Sequence, residues 1–305
     1  MAKNKENNKW RFIIFVLLGL ALLSFLLAAF ASLFIEDVEL SSGNVAHIPV
    51  NGVVMTQESS TMLGASISSK EIVKLIEKAD KNPRVKAILI EIDSPGGTPV
   101  ATDEVVSAVK KTNKTTVSWI RETGASGAYW IASASDHIVA NRMSLTGSIG
   151  VLSSYLEFSG LLENYNVTYQ RLVAGKYKDI GTPLKEITAQ EEMILQDILD
   201  KIQEFFLEDV AKSRDLSEGQ IEEISTGLFF LGSEAKELGL VDELGGKDEA
   251  IRFIENKHNI TASPVEYERE RSLLDVFGSL ISSYSFNMGR GIGASVTEKT
   301  GRIII

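Results

Sequence analysis

The sequence contains no cysteine and only three histidines, His47, His137 and His258, in 305 residues. A chain without cysteine has no disulfide framework, no thiolate nucleophile and no zinc site built on thiolates. The three histidines lie too far apart in sequence to indicate a histidine-built metal site, and we expect no cofactor.

Positive charge is also scarce. The chain carries 31 lysines and arginines against 41 aspartates and glutamates, a formal net charge of −10 at pH 7. Because phosphate binding needs a basic face, this balance argues against nucleic acid as a partner.

One long uncharged run is present, over residues 12–35. At 1.5 Å per residue it is long enough to cross a hydrocarbon core of about 30 Å. Basic residues dominate positions 1–11 and acidic ones follow the run, so we expect a single-pass cell-membrane protein with a cytoplasmic N-terminus. A cleaved signal peptide is the alternative, but its apolar region usually spans about 7–15 residues. This predicts an extracytoplasmic domain over 36–268 and an amphipathic, flexible tail over 269–305.

After this run, strand-like, glycine-turn and helix-like segments follow one another. Residues 85–92 are mostly apolar and β-branched, which is typical of a strand buried on both faces. Thr98 as N-cap and Pro99 at the first helical position predict the start of a helix. Thr188 and Glu191 form a capping box that predicts the start of the longest helix, over 188–214. Further helices are predicted from Ser69, near 154–165 and near 247–256, and further strands over 45–54, 116–120, 137–140 and 167–173, with a loop over 55–68. The succession predicts an α/β fold with a largely parallel sheet and a ligand site beyond the carboxyl ends of its strands.

A serine framed by small residues follows the strand at 116–120. Gly124, Ala125, Gly127 and Ala128 surround Ser126, and the chain then becomes helix-like. A strand, a sharp turn with serine and a helix form the arrangement of a nucleophile elbow. A small-residue helix packed tightly against a sheet is the alternative interpretation. A second glycine turn, residues 93–97, also ends a strand, and we expect the two turns to be neighbours.

A serine hydroxyl needs a base to take its proton before it attacks. His137 is the closest histidine, but it stands at a predicted strand boundary. Lys178 can act if burial keeps its amine neutral, although a lone lysine is ordinarily a solvated surface charge. Backbone N–H groups of the 93–97 turn and of Gly127 could bind an oxyanion, whereas a plain turn explains the 93–97 sequence equally well.

Taken together, the motifs resemble the signal peptide peptidase A family, membrane-anchored relatives with the ClpP/crotonase fold, over residues 45–256. They are Asp93-Ser-Pro-Gly-Gly97, Ala125-Ser-Gly-Ala-Tyr-Trp130, Thr146-Gly-Ser-Ile-Gly150, Gly175-Lys-Tyr-Lys178-Asp179 and Leu240-Val-Asp-Glu-Leu244. The resemblance implies a Ser–Lys dyad with Ser126 as nucleophile and Lys178 as general base, and Ser148 orienting the lysine. It also implies an oxyanion hole formed by Gly96 or Gly97 together with Gly127.

The resemblance further implies a serine endopeptidase that degrades cleaved signal peptides and similar apolar, membrane-derived peptides. It implies a ring- or dome-shaped homo-oligomer with the dyad near a subunit boundary. The chain departs from the family pattern at Ala128, where a second glycine is common, and we expect the methyl group to narrow the substrate groove. Three alternatives are a nucleophilic Ser148, a non-catalytic membrane scaffold on the same fold, and acyl-CoA chemistry, which an extracytoplasmic location disfavours.

Overall fold

The computed structural model describes residues 3–32, 43–57, 60–61 and 64–268. They divide into two units, one before residue 43 and one from Gly43 onward. The first is a single helix, α1 (Lys3–Ser32), whose stretch Trp10–Leu27 is long and apolar enough to cross a membrane. The end of the predicted anchor, at 33–35, and the tail at 269–305 lie outside the described residues.

The second unit is a mixed α/β domain. Its strands are β1 (Val45–Asn51), β2 (Val53–Met55), β3 (Ser60–Thr61), β4 (Gly64–Ser68), β5 (Ala87–Ser94), β6 (Thr115–Ala125), β7 (His137–Ala140), β8 (Leu145–Gly147), β9 (Phe229–Leu231), β10 (Glu243–Leu244) and β11 (Pro264–Glu266). Its helices are α2 (Ser69–Lys81), α3 (Pro99–Lys111), α4 (Gly127–Ser133), α5 (Ser159–Asn164), α6 (Ala189–Arg214), α7 (Glu218–Ile224), α8 (Gly232–Glu237) and α9 (Lys247–His258).

The main sheet has the order β10-β7-β6-β5-β1-β11, and every neighbouring pair in that order is parallel. Strand β8 pairs in parallel with the end of β6, and β9 pairs antiparallel with β8. Strands β2, β4 and β3 form a separate small sheet. The predicted largely parallel sheet is therefore confirmed, with its carboxyl ends on one edge.

Helices cover both faces of this sheet. Alternate residues of β1 and β5, such as Ile48 and Ile90, pack with α2, α3 and α4 in the larger core cluster. The residues between them, such as Leu89, pack with Ile254 of α9 on the other face. Strand β5 is consequently buried on both faces, as its apolar sequence predicts.

Two local predictions are wrong, and a third is right only over part of its range. The expected loop over 55–68 contains β3 and β4, which pair with each other and with β2. The expected strand over 167–173 has no regular structure, and the helix near 154–165 is confined to α5. In contrast, α6 begins with the predicted capping box, in which Thr188 accepts the Glu191 N–H and the Glu191 side chain accepts the Thr188 N–H.

Candidate active site

Ser126 lies in the sharp turn between β6 and α4. Its backbone has φ 54° and ψ −130°, a conformation that L-residues adopt at a cost of about 1–3 kcal/mol. Its N–H donates to the Gly147 carbonyl at 2.8 Å, and its carbonyl accepts the Trp130 N–H at 3.0 Å. The predicted strand–turn–helix is confirmed, although the strand runs past Ile120 to Ala125 before it turns.

Helix α4 is anchored in the core by its aromatic residues. The Tyr129 hydroxyl donates to the Leu240 carbonyl at 2.9 Å, and burial raises the pKa of Tyr129. The Trp130 Nε1–H donates to Asp209 at 3.0 Å, and its ring stacks on Phe206 with centroids 4.7 Å apart. Ala128 is completely buried in the same core, so the prediction that its methyl group narrows the substrate groove is wrong.

The 93–97 turn lies directly against Ser126, because β5 and β6 are paired and Ser94 stands opposite Gly124. Gly96 has φ +114°, and a Cβ added there would lie 2.9 Å from the Ser126 Cβ. The Gly96 N–H donates to the Ser94 hydroxyl at 3.1 Å. The expected proximity of the two glycine turns is therefore confirmed.

Two backbone N–H groups lie beside Ser126 without an acceptor in the part of the chain that the structure describes. Among the described residues, neither Gly97 nor Gly127 donates its N–H to a hydrogen bond. A Cβ added to Gly127 would lie 3.2 Å from the Gly97 nitrogen, so the two peptide units are close. Since the Gly96 N–H is already used, the available pair is Gly97 with Gly127. Two free donors next to a serine suit an oxygen that carries negative charge.

A threonine that was not expected from the sequence lies behind this pair. Thr102, in the first turn of α3, is completely buried, and its hydroxyl has no hydrogen-bond partner within the described residues. The Cβ added to Gly127 would stand 2.4 Å from the Thr102 Oγ1. A side chain at position 127 would therefore displace α3 or the turn. Threonine is common in helices, so the sequence alone does not indicate that Thr102 lies behind these two N–H groups.

Ser148 lies beside Ser126 across a strand pair. Strand β8 pairs with β6 so that Gly147 stands opposite Ala125, and Thr146 Oγ1 donates to the Gly124 carbonyl at 2.7 Å. The Ser148 N–H donates to the Leu228 carbonyl at 2.7 Å, and Ser148 also has a positive φ, 50°. Because β6 and β8 are paired, the two serines that follow them lie at the same end of the sheet, and both are half-buried.

Among the described residues, Lys178 makes no hydrogen bond to Ser126. It is exposed in a turn, and within the described part of the chain its amine makes no hydrogen bond or ion pair. No residue of the fully described stretch 151–190 is buried. His137 starts β7 opposite Val117, at the far end of the sheet from the elbow, and stacks on Phe253 with centroids 3.8 Å apart. The structure thus gathers Ser126, Ser148 and the glycine turns at one end of the sheet and places His137 at the other. Among the described residues, Lys178 makes no hydrogen bond to either serine.

Gly97→Ala is expected to destabilise the domain by about 1–3 kcal/mol or more, because the new Cβ would lie only 2.0 Å from the Val54 carbonyl oxygen. Gly219→Ala is the matched control, since Gly219 lies inside α7 with nothing within 4 Å of its added Cβ, and alanine favours a helix by about 0.5–1 kcal/mol. Urea unfolding measures both values. Equal stability of the two variants would contradict the close approach of Gly97 to Val54.

The sequence model of a protein family, described as peptidase family S49, matches residues 108–261. A putative protease of Methanocaldococcus jannaschii is 33% identical over 224 residues, which cover 72% of this chain and 71% of that protein. A putative signal peptide peptidase SppA of Enterococcus faecium is 30% identical over 235 residues, 75% of this chain and 68% of that protein. Among solved structures, a membrane-bound stomatin-specific protease in complex with a substrate peptide superposes with a TM-score of 0.51 at 15% identity, over 80% of this chain and all of that one.

Proposed function

Since this chain belongs to peptidase family S49 and is a serine protease with a ClpP/crotonase-like α/β fold, we propose that it is a membrane-anchored endopeptidase with Ser126 as nucleophile. The observation that carries the proposal is the elbow: a strained serine beside the N–H groups of Gly97 and Gly127, which have no acceptor within the described residues. A packed small-residue helix would not need this backbone strain.

The proposed reaction is acyl transfer to Ser126. The neutral Lys178 amine takes the Ser126 proton while Oγ bonds to the peptide carbonyl carbon, and the carbonyl oxygen becomes an oxyanion that accepts the Gly97 and Gly127 N–H groups. Collapse breaks the C–N bond, and the lysine ammonium gives its proton to the leaving amine. Water, deprotonated by the same lysine, then attacks the acyl ester carbon; the C–Oγ bond breaks, the lysine ammonium returns its proton to Ser126 Oγ, and the carboxylic acid product leaves. Ser148 is proposed to hold the lysine amine next to Ser126.

Lys178 must reach Ser126 for this reaction, and a second copy of the chain supplies one route. The stretch 151–190 exposes large apolar side chains, including Leu152 at 84%, Leu156 at 73% and Leu172 at 96%. Exposed apolar patches in soluble domains mark interaction surfaces. We therefore propose a homo-oligomer in which this stretch packs on a neighbouring copy and carries Lys178 to its site.

The proposed substrates are cleaved signal peptides and similar apolar, membrane-derived peptides. Support comes from the name of the Enterococcus faecium relative and from helix α1, whose apolar stretch would keep the domain at the membrane where such peptides are produced. The basic residues before that stretch favour a cytoplasmic N-terminus and an extracytoplasmic catalytic domain.

The test uses the full-length protein in detergent with a synthetic signal-sequence peptide and a serine-reactive phosphonate probe. We expect the probe to attach to Ser126, as located by mass spectrometry, and to block cleavage of the peptide. A polar peptide of equal length is expected to be cleaved much more slowly. Absence of both labelling and cleavage would overturn the proposal in favour of a non-catalytic scaffold. Cleavage of both peptides at equal rates would remove only the proposed substrate class.

A further inference from the structure

The stretch that carries Lys178 is held by charge rather than by apolar packing. No residue of 151–190 is buried as a whole, yet the Asp179 side chain is only 9% exposed. Glu191, at the start of α6, has a side chain that is only 5% exposed. A carboxylate withdrawn from water requires compensating hydrogen-bond donors. The side-chain donors to Asp179 and Glu191 among the described residues belong to the stretch 151–190.

Arg171 supplies the donors for Asp179. Its guanidinium makes two parallel contacts, Nε to Oδ2 at 2.5 Å and Nη2 to Oδ1 at 2.8 Å, and Nη2 also donates to the Lys176 carbonyl at 3.0 Å. Such a two-point pairing fixes the direction of both side chains, which a single lysine contact does not. Hydrogen bonding from Arg171 lowers the pKa of Asp179 to about 2, so the carboxylate stays charged throughout the pH range of a peptidase assay.

Lys185 connects this pair to helix α6. Its amine lies 2.5 Å from Glu191 Oε1 and 3.8 Å from Asp179 Oδ1. The Glu191 carboxylate in turn accepts the Thr188 N–H at 3.1 Å in the capping box of α6. The turn at 175–182 is thereby tied to a 26-residue helix, the longest regular element of the second unit among the described residues.

Arg171, Asp179, Lys185 and Glu191 form one charged network, and Lys178 lies between two positions of the chain that this network holds. Arg171 binds the chain at Lys176 and again at Asp179, and the intervening backbone folds into a turn in which the Lys178 N–H donates to the Gly175 carbonyl at 3.2 Å. The Lys178 side chain itself is left outside the network. The contacts therefore restrict the backbone of the turn and leave the amine available.

We propose that Arg171, acting through Asp179, is a positioning residue that sets the direction in which Lys178 is presented to the nucleophile. This rests on the proposed function, because it assigns Lys178 as the base. An isolated surface ion pair contributes little to stability. The Arg171–Asp179 pair contributes by fixing geometry instead, since displacement of a reacting group by about 1 Å costs about 100-fold in rate.

The test compares peptide cleavage by Arg171→Ala, Arg171→Lys and Lys178→Ala in the full-length protein. We expect Arg171→Ala to lower kcat about 10–100-fold with KM changed less than about 2-fold. Arg171→Lys keeps the charge but not the two-point pairing, and is expected to recover only part of the loss. Lys201→Ala removes the exposed Lys201–Asp197 pair, 2.6 Å apart on α6, and serves as the matched control with unchanged kcat.

Hydrogen–deuterium exchange separates positioning from general unfolding. We expect faster exchange at 174–182 in Arg171→Ala, with unchanged exchange in β6 and α4. If kcat in Arg171→Ala equals that of the unaltered protein while Lys178→Ala is inactive, the positioning role is overturned and the proposed base stands. If Lys178→Ala remains active, the proposed base fails, and the positioning role fails with it. Global loss of protection in Arg171→Ala would also overturn the proposal, because Arg171 would then be needed for the fold.

Discussion

Replacing Ser126 by alanine is expected to reduce peptide cleavage by about 10⁴-fold or more, the scale seen when a serine nucleophile is removed. The reason is that Ser126 occupies the turn beside the Gly97 and Gly127 N–H groups, which have no hydrogen-bond acceptor among the described residues. The stability of the domain should hardly change, since alanine at φ 54° bears the same backbone strain as serine. Cleavage of a quenched fluorescent peptide and thermal unfolding measure the two quantities.

Ser126→Gly adds a control for that strain. Glycine adopts positive φ without a Cβ penalty, so this variant is expected to be inactive and yet more stable than Ser126→Ala by about 1 kcal/mol. If the glycine variant is more stable but inactive, the strained backbone at position 126 is maintained because catalysis needs a serine there. Lower stability of the glycine variant would contradict a strained elbow.

Ser148→Ala distinguishes the two glycine-framed serines. With Ser126 as nucleophile, Ser148→Ala should still bind the phosphonate probe at Ser126, although cleavage is slower because the lysine is less well oriented. The reverse result, with label retained in Ser126→Ala and lost in Ser148→Ala, would make Ser148 the nucleophile. Both residues have positive φ and follow the ends of the paired strands β6 and β8, so a labelling experiment is needed to assign the attack to one of them.

Features encoded by local sequence were predictable. Strand β5 follows from its apolar run, α3 from Thr98 and Pro99, and the start of α6 from its capping box. These signals depend on residues a few positions apart, so they do not require knowledge of the tertiary fold. The serine elbow belongs to the same class, since a strand, small residues and a helix are contiguous in the chain.

Features that depend on distant partners were not predictable. Strand β4 is rich in small polar residues and forms because β2 and β3 lie beside it. Residues 167–173 have a strand-like composition, but none of the described strands pairs with them, and an unpaired strand is not stable. The choice between Gly96 and Gly97 likewise depended on the Ser94 hydroxyl, which occupies the Gly96 N–H only in the folded turn.

Lys178→Ala is expected to abolish cleavage as completely as Ser126→Ala, because an unactivated serine hydroxyl is a poor nucleophile. Lys178→Arg should not restore activity, since a guanidinium stays protonated and cannot accept the serine proton. The matched control is Lys176→Ala, an exposed lysine two positions earlier whose amine contacts Gln190 at 3.0 Å, and it should cleave within about 2-fold of the unaltered protein. Activity in Lys178→Ala would require another base.

Mixing the two inactive variants tests where the lysine acts. Lys178 is exposed and makes no hydrogen bond to Ser126 among the described residues, so a base supplied by a neighbouring copy predicts complementation. Subunits of Ser126→Ala and Lys178→Ala, unfolded together and refolded as mixed oligomers, would then regain about a quarter of full activity, because one random pairing in four joins an intact serine to an intact lysine across a repeated interface. If both variants are inactive and the mixture recovers nothing, the dyad must form within one chain, and the stretch 151–190 has to fold back onto its own elbow when the substrate binds.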